Sequence, residues 1–203
     1  MDPRTTALIL VGYQHDEFVP AGILRSAHNR ANSVGTAMAN AVELIRAMAP
    51  IGVSILATTV RLTPDFRTPA PQAGIPDTVT SSGASTTGDA GPETISQWRA
   101  FGACITRVAG DAGLDGFSTN TLDAVLKQHG IRDVLVAGTA NSLCIDSTCR
   151  AASDRGYRVT VVSDCTAGRT PAEHDFYCQH IFPLFGGVMD SRKAIEQLSS
   201  VTA

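Results

Sequence analysis

Cys144 stands in the stretch "VLVAGTANSLCIDSTCRAA", residues 134–152, six positions beyond the glycine that ends an apolar run. The expected local order is a buried strand ending at Gly138, a tight turn through Thr139, Ala140, Asn141 and Ser142, then a helix beginning around the cysteine. The first turn of a helix carries unpaired backbone N–H groups and a partial positive charge. Both favour thiolate over thiol, which makes Cys144 a candidate nucleophile. The same N–H groups, joined by one from the Ala140 region, would receive the oxyanion formed when a thiolate attacks a carbonyl. The competing reading of Cys144 is a small buried hydrophobe, the usual fate of a lone cysteine.

Three further stretches carry groups able to assist. In "LILVGYQHDEF", residues 8–18, an apolar run breaks into Gly12, Tyr13, Gln14, His15, Asp16 and Glu17. Gly12 has no side chain to deliver; at a strand tip it serves an unusual φ or the close approach of another backbone, and it leaves room for a substrate group. Asp16 either meets substrate or caps its own loop. In "GDAGLDGFSTNTLD", residues 110–123, Asp111 is either an acid–base group or a turn residue, and its Gly-Asp-Ala-Gly setting fits a turn well. Arg61 follows a second apolar run and reads as an anion contact or a surface arginine. After that run Asp65 stands alone, with the next histidine at His129, so neither a metal site nor a cofactor is expected.

The elements that must position these groups alternate along the chain. Residues 6–12, 53–60, 104–108, 133–138, 158–163 and 187–189 read as strands. Residues 33–48, 119–129, 142–155, 171–182 and 191–198 read as helices, with Ser33 as an N-cap and Gly130 and Gly156 as stops. Near-continuous apolar strands between amphipathic helices imply a parallel sheet covered on both faces. Ligands of such sheets bind at the carboxyl ends of the strands. Trp98 and Phe101, three apart, read as core. His174 and His180 read as surface or helix-packing residues. Cys104, Cys165 and Cys178 read as packing, with a pocket role for Cys165 as the lesser alternative. A Pro-, Gly-, Ser- and Thr-rich excursion over about 61–93 is either a surface loop or a lid over the strand tips.

Composition bounds the rest. The 203 residues suffice for one domain with a sizeable core, 43% of them hydrophobic and 17% charged. A net charge of −3 without a Lys/Arg cluster argues against nucleic acid and anionic membrane as partners. No apolar run nears the roughly 20 residues needed to span a bilayer. Five scattered cysteines without a CxxC pair, and an N-terminus lacking a signal-like apolar stretch, point to the reducing cytoplasm.

The nucleophile turn Gly138 to Cys144, the following "GYRVTVVSDCTAG", residues 156–168, and the preceding "NTLDAVLKQHGIRDVLVAG", residues 120–138, together resemble the isochorismatase-like cysteine hydrolases. The first strand resembles that family's Asp-x-Gln-x-Asp-Phe type motif, so the likeness covers roughly residues 6–24 and 110–200. The resemblance implies a three-layer α/β/α sandwich with a largely parallel six-stranded sheet, and a homo-oligomer, dimer or tetramer. It implies a Cys, Asp and Lys triad that hydrolyses a C–N bond through a thioester, with a cis peptide before the motif helping to form the oxyanion hole. Carried onto this chain, the oxyanion donors are the Ala140 and Cys144 amides, and Gly12, Gln14, Asp16, Arg61, Phe117 and Asn141 are pocket candidates.

Two triad members are missing. Gly12 falls where the family has its acid, and Asp111 falls where it has its lysine; no lysine occurs before Lys127. Three accounts are compatible with this. In the first, Asp111 replaces the lost acid and approaches Cys144 from a neighbouring strand, with Asp16, His15 and Asp115 as lesser candidates. The second is a different thiol or acid–base reaction, such as isomerisation or cyclisation. The third is a non-catalytic binding or partner subunit. The expected function is the first, hydrolysis of an amide- or lactam-like small metabolite.

Overall fold

The computed structural model describes residues 1–13, 31–58, 98, 100–108, 114–118 and 121–200, without the side chains of 31–33. Gln14, His15, Asp16, Arg61, Asp65, Asp111 and the 61–93 excursion lie outside the described residues.

Two strands at the centre set the architecture. β1 (Thr6–Val11) and β4 (Asp133–Thr139) are buried along their whole length, so they cannot alternate apolar with polar. Their side chains divide instead between two cores. Ala7, Ile9 and Val11 point to one face with Val134 and Val136, while Leu8 and Leu10 point to the other with Leu135 and Ala137. Each face is closed by helices. On the second lie α1 (Ala31–Met48), presenting Ala41, Leu44, Ile45 and Met48, and the C-terminal helix, presenting Ala194 and Leu198. On the first lie α2 (Leu122–Gln128), through Leu122 and Leu126, and α3 (Asp146–Asp154), through Cys149 and Ala152. Each such Leu or Ile contributes roughly 1.5–3 kcal/mol by leaving water.

The sheet also contains β2 (Ser54–Thr58), β3 (Ile105–Val108), β5 (Arg158–Ala167) and β6 (Gly187–Met189). Its order is β3-β2-β1-β4-β5-β6, and all pairings are parallel. After β5 the chain forms α4 (Pro171–Phe176), which widens into a π-helical turn (Tyr177–Ile181). The final helix, α5 (Ser191–Ser199), completes the α/β/α sandwich. The order of the strands makes the chain wind outward in one direction through β1, β2 and β3, and in the other through β4, β5 and β6. The switch point lies between β1 and β4, the place in such sheets where ligands bind outside the strand tips. Both Gly12 and the nucleophile turn follow those two strands.

Several expected boundaries move. α1 starts at Ala31, so Ser33 lies within its first turn rather than capping it. β5 runs to Ala167 instead of ending near Ser163, because it bulges: Val136 pairs with Val161, but Gly138 pairs with Thr166. The bulge is held from outside. Tyr13 Oη donates to the Cys165 carbonyl at 2.6 Å, and Asn40 Nδ2 to the Asp164 carbonyl at 2.8 Å. The Asp164 carboxylate in turn accepts the Ser191 N–H and hydroxyl at 2.7 and 2.6 Å. Cys104 closes a 3-10 turn ahead of β3 and is exposed, not packed, since β3 is an edge strand. Trp98 is buried as expected, with Tyr13 edge-on at 5.2 Å between ring centroids and Phe101 at 6.3 Å.

Candidate active site

β4 ends against β1 with no space between them. A Cβ built on Gly138, whose φ is +147°, would lie 1.9 Å from the Val11 carbonyl oxygen, so only glycine fits. Thr139 Oγ1 then donates to the Gly12 carbonyl at 3.5 Å, tying the two tips together. Gly12 has φ +71°. A backbone requirement therefore accounts for the glycine where the resembling family has an acid, and its carbonyl, not a carboxylate, faces the turn. Gly12→Ala is expected to cost about 1–2 kcal/mol in denaturant unfolding, as a side chain is forced into the left-handed region.

The peptide between Thr139 and Ala140 is cis. Ala140, in extended conformation, caps the helical segment: its carbonyl accepts the Leu143 and Ile145 N–H groups at 3.1 and 3.2 Å. A π-helical turn (Asn141–Ile145) follows and runs directly into α3. Cys144 thus lies in the first turn of a helical segment that leaves the switch point, 3% exposed. Ser147 Oγ donates to the Leu143 carbonyl at 2.5 Å and the Cys144 carbonyl at 3.2 Å, bracing the turn from one step further along.

The other thiols are unsuited to the role. Burial, reinforced by Asp146, pushes the Cys149 thiol well up, and burial with Asp164 does the same to Cys165. Cys178 is raised to about 11, by burial and then Asp175. Both Cys149 and Cys165 are fully enclosed, in agreement with a packing role.

The segment around Asp111 can be followed only at its far end. Gly116 is clamped there: its N–H donates to Thr148 Oγ1 at 2.8 Å, and its carbonyl accepts Thr58 Oγ1 at 3.4 Å. Thr148 is four residues beyond Cys144 on the same helical segment, so the crossover after β3 passes, at Gly116, beside the helix of Cys144. β3 is not adjacent to β4, because β2 and β1 stand between them. Asp111 itself lies between β3 and Gly116 in the chain, outside the described residues. Asp115 is committed locally, since its carboxylate accepts the Phe117 N–H at 2.7 Å and the Ser118 hydroxyl. Phe117 is 5% exposed and stacks on Tyr157 with 6.1 Å between centroids, so the structure gives it a packing role.

Asn141 is fully buried and its amide turns toward α4, with Nδ2 3.0 Å from His174 Nδ1. Among the described residues, Ser142 Oγ and Glu173 Oε1 beside it are buried without a hydrogen bond of full geometry, and so is Asn141 Oδ1. Burial would raise the Glu173 carboxyl, but the nearby Ser142 hydroxyl and the Arg169 hydrogen bond at 2.8 Å outweigh it and hold the group below its ordinary value. A cavity of about 460 Å³ opens on the other side of His174, between α1, the β5 tip and α4. His174 is thus shared by the cavity wall and the nucleophile turn. The sequence reading, which left His174 on a surface or helix-packing face, missed it. No signal in the sequence marked it, because the contact depends on β5 lying beside β4.

Relatives of known description share this plan. The sequence model of the isochorismatase domain matches residues 6–193. A ureidoacrylate amidohydrolase, RutB, of Methylobacterium radiotolerans is 27% identical over 205 residues, spanning 94% of this chain and 78% of its own length. A cysteine hydrolase from Pseudomonas syringae pv. phaseolicola superposes with a TM-score of 0.81 at 21% identity, over 98% of this chain and 95% of the other. The N-carbamoylsarcosine amidase from Thermoplasma acidophilum does so with a TM-score of 0.70 at 24% identity, over 94% and 97%. The two superpositions show a common fold, and the domain match spans all six strands. The chain belongs to the isochorismatase family.

Proposed function

We infer that the protein hydrolyses a C–N bond of a small amide, of the N-carbamoyl (ureido) class, through a thioester on Cys144. The observation that carries this reading is the placement of Cys144 in the first helical turn beyond β4, at the sheet's switch point. The helix start favours the thiolate and aims backbone N–H groups at the carbonyl it attacks. The substrate class follows from two relatives whose names, ureidoacrylate amidohydrolase and N-carbamoylsarcosine amidase, share an N-carbamoyl group.

The thiolate adds to the carbonyl carbon, and the negative oxygen is received by the Ala140 and Cys144 amides. Asp111, protonated by taking the Cys144 thiol proton, gives that proton to the nitrogen as the C–N bond breaks. Water, deprotonated by the same carboxylate, then cleaves the thioester and regenerates the thiol. What supports Asp111 in this role is the clamp on Gly116, five residues further along the chain, beside Thr148 on the helical segment of Cys144. Gln14, Asp16 and Arg61, on segments that follow the β1 and β2 tips, are the proposed contacts for the rest of the substrate.

Iodoacetamide labelling followed at individual cysteine peptides tests the nucleophile. Cys144 is expected to react faster than the exposed Cys104 below pH 7; equal or slower reaction rejects an activated thiolate. Asp111→Asn is expected to lower turnover of N-carbamoyl amino acids about 10²–10⁴-fold while Cys144 still alkylates. Unchanged turnover in that variant removes Asp111 from the mechanism.

A further inference from the structure

We propose that His174 is a positioning residue: as a neutral imidazole it accepts the Asn141 side-chain N–H and so fixes the turn that carries the Ala140 and Cys144 amides. The inference rests on Cys144 being the nucleophile proposed above.

Asn141 lies between Ala140 and Cys144 and is fully buried, so its side chain is held only by what surrounds it. Among the described residues its Oδ1 is buried without a partner, and its Nδ2 meets His174 Nδ1 at 3.0 Å. The contact to His174 is therefore the polar anchor of that side chain among the described residues. With Nδ2 donating, Nδ1 must be the unprotonated ring nitrogen, and the ring's single proton sits on Nε2. A doubly protonated imidazole has two donors and no acceptor. Protonation then sets one N–H against another, and the contact survives only if the Asn141 amide turns over. Either outcome disturbs the turn three residues before the nucleophile.

The surroundings favour the neutral ring. Burial lowers the affinity of His174 for its second proton, outweighing the opposite pull of Asp175. On its own helix it also faces Cys178, whose Sγ is 3.7 Å from Nε2 and which stays a thiol, with its pKa near 11. Glu173, the preceding residue, is engaged with Arg169 at 2.8 Å. From β5, Asp164 lines the same cavity, but its carboxylate is occupied by Ser191. From the nucleophile turn the titratable group is Cys144 itself. A histidine whose folded value lies below about 6.5 binds its proton more readily when unfolded. The anchored geometry is thus complete above that value and is lost as pH falls through the lower folded one.

His174→Asn provides the test, because its Oδ1 offers an acceptor close to the place of Nδ1 and cannot take a proton. Labelling of Cys144 by iodoacetamide is measured for wild type and His174→Asn between about pH 5 and 8. The ratio of the two rate constants cancels the titration of the thiol itself. It is expected near one above about pH 7, falling several-fold on the acid side of the His174 midpoint measured in wild type by imidazole NMR. His174→Leu, which has no acceptor, should label up to about tenfold more slowly throughout, the scale of one lost neutral hydrogen bond. A flat ratio, or a midpoint displaced from the NMR titration, overturns the proposal. If His174→Asn does not fold, the wild-type profile decides alone: an acid step at the NMR midpoint supports the anchor, and its absence removes it. A Cys144 that labels no faster than Cys104 at any pH instead overturns the nucleophile and this inference with it. A fast Cys144 with a flat ratio overturns the His174 role only.

Discussion

Cys144→Ala is expected to lower kcat/KM on N-carbamoyl compounds about 10⁴-fold or more while leaving the fold standing. The size of the effect follows from the covalent route: without the sulfur there is no acyl-enzyme, and oxyanion donors alone give little acceleration. No other thiol can take over. Cys149 and Cys165 are enclosed with their thiols pushed well up, and Cys178 titrates near 11 and lies beyond His174. Cys104 lies in the turn before edge strand β3, two strands away from the nearer of the two switch-point strands. The fold survives because a single sulfur leaves a small cavity, costing about 1 kcal/mol. Alanine is preferred to serine, since a serine hydroxyl is itself a weak nucleophile and would blur the comparison. Release of amine or ammonia measures the loss, and calorimetric titration of the same compounds should show binding retained. Turnover within about a hundredfold of wild type would sink the covalent mechanism. Retained binding in the variant, set against turnover in the wild type, also separates a hydrolase from a binding module.

Legibility in the sequence tracked how local each feature's cause was. β1 and β4 were readable because strands buried on both faces need uninterrupted apolar runs, and few other segments of this chain supply one. The nucleophile turn was readable for the same reason: a strand, a glycine, small residues and a helix within a dozen positions. Gly12 was half readable. A left-handed φ was among the expected reasons for glycine at that tip, and φ is +71° there. The residues that fix the site across the fold were not readable. His174 meets Asn141 across 33 positions, and Tyr13 supports the β5 bulge across 152. Neither contact leaves a periodic trace, because each depends on which strands end up adjacent. Strand order was hidden in the same way, since a chain read in sequence cannot show that β2 and β1 separate β3 from β4. Cys104 was misjudged because only the sheet order makes β3 an edge, where Thr106 and Arg107 face water.

Gly138→Ala is expected to be the most damaging single methyl in the protein, costing more than about 3 kcal/mol of stability. Its Cβ would lie 1.9 Å from the Val11 carbonyl oxygen and 2.8 Å from the Val11 carbonyl carbon. These are backbone atoms of the strand paired with it, Val11 standing opposite Gly138 in the register, so no rotamer change relieves the overlap. The third neighbour, Ile145 Cδ1 at 3.0 Å, belongs to the nucleophile turn itself. Relief must therefore come from parting β4 and β1 or from pushing the turn away from the strand tips, and both displace Cys144 from the switch point. The φ of +147° adds a further penalty for any side chain. Gly35→Ala is the matched control, the same chemical change within α1 with nothing within 4 Å of the new methyl. There alanine should stabilise by up to about 1 kcal/mol, through helix propensity and a less flexible unfolded chain. Urea unfolding of the two variants should thus move in opposite directions from wild type. Cys144 labelling in the folded fraction of Gly138→Ala should slow, whereas in Gly35→Ala it should not. A Gly138→Ala protein with wild-type midpoint and wild-type labelling would show that the β1–β4 contact does not hold the nucleophile in place, and the site would have to be rebuilt on other supports.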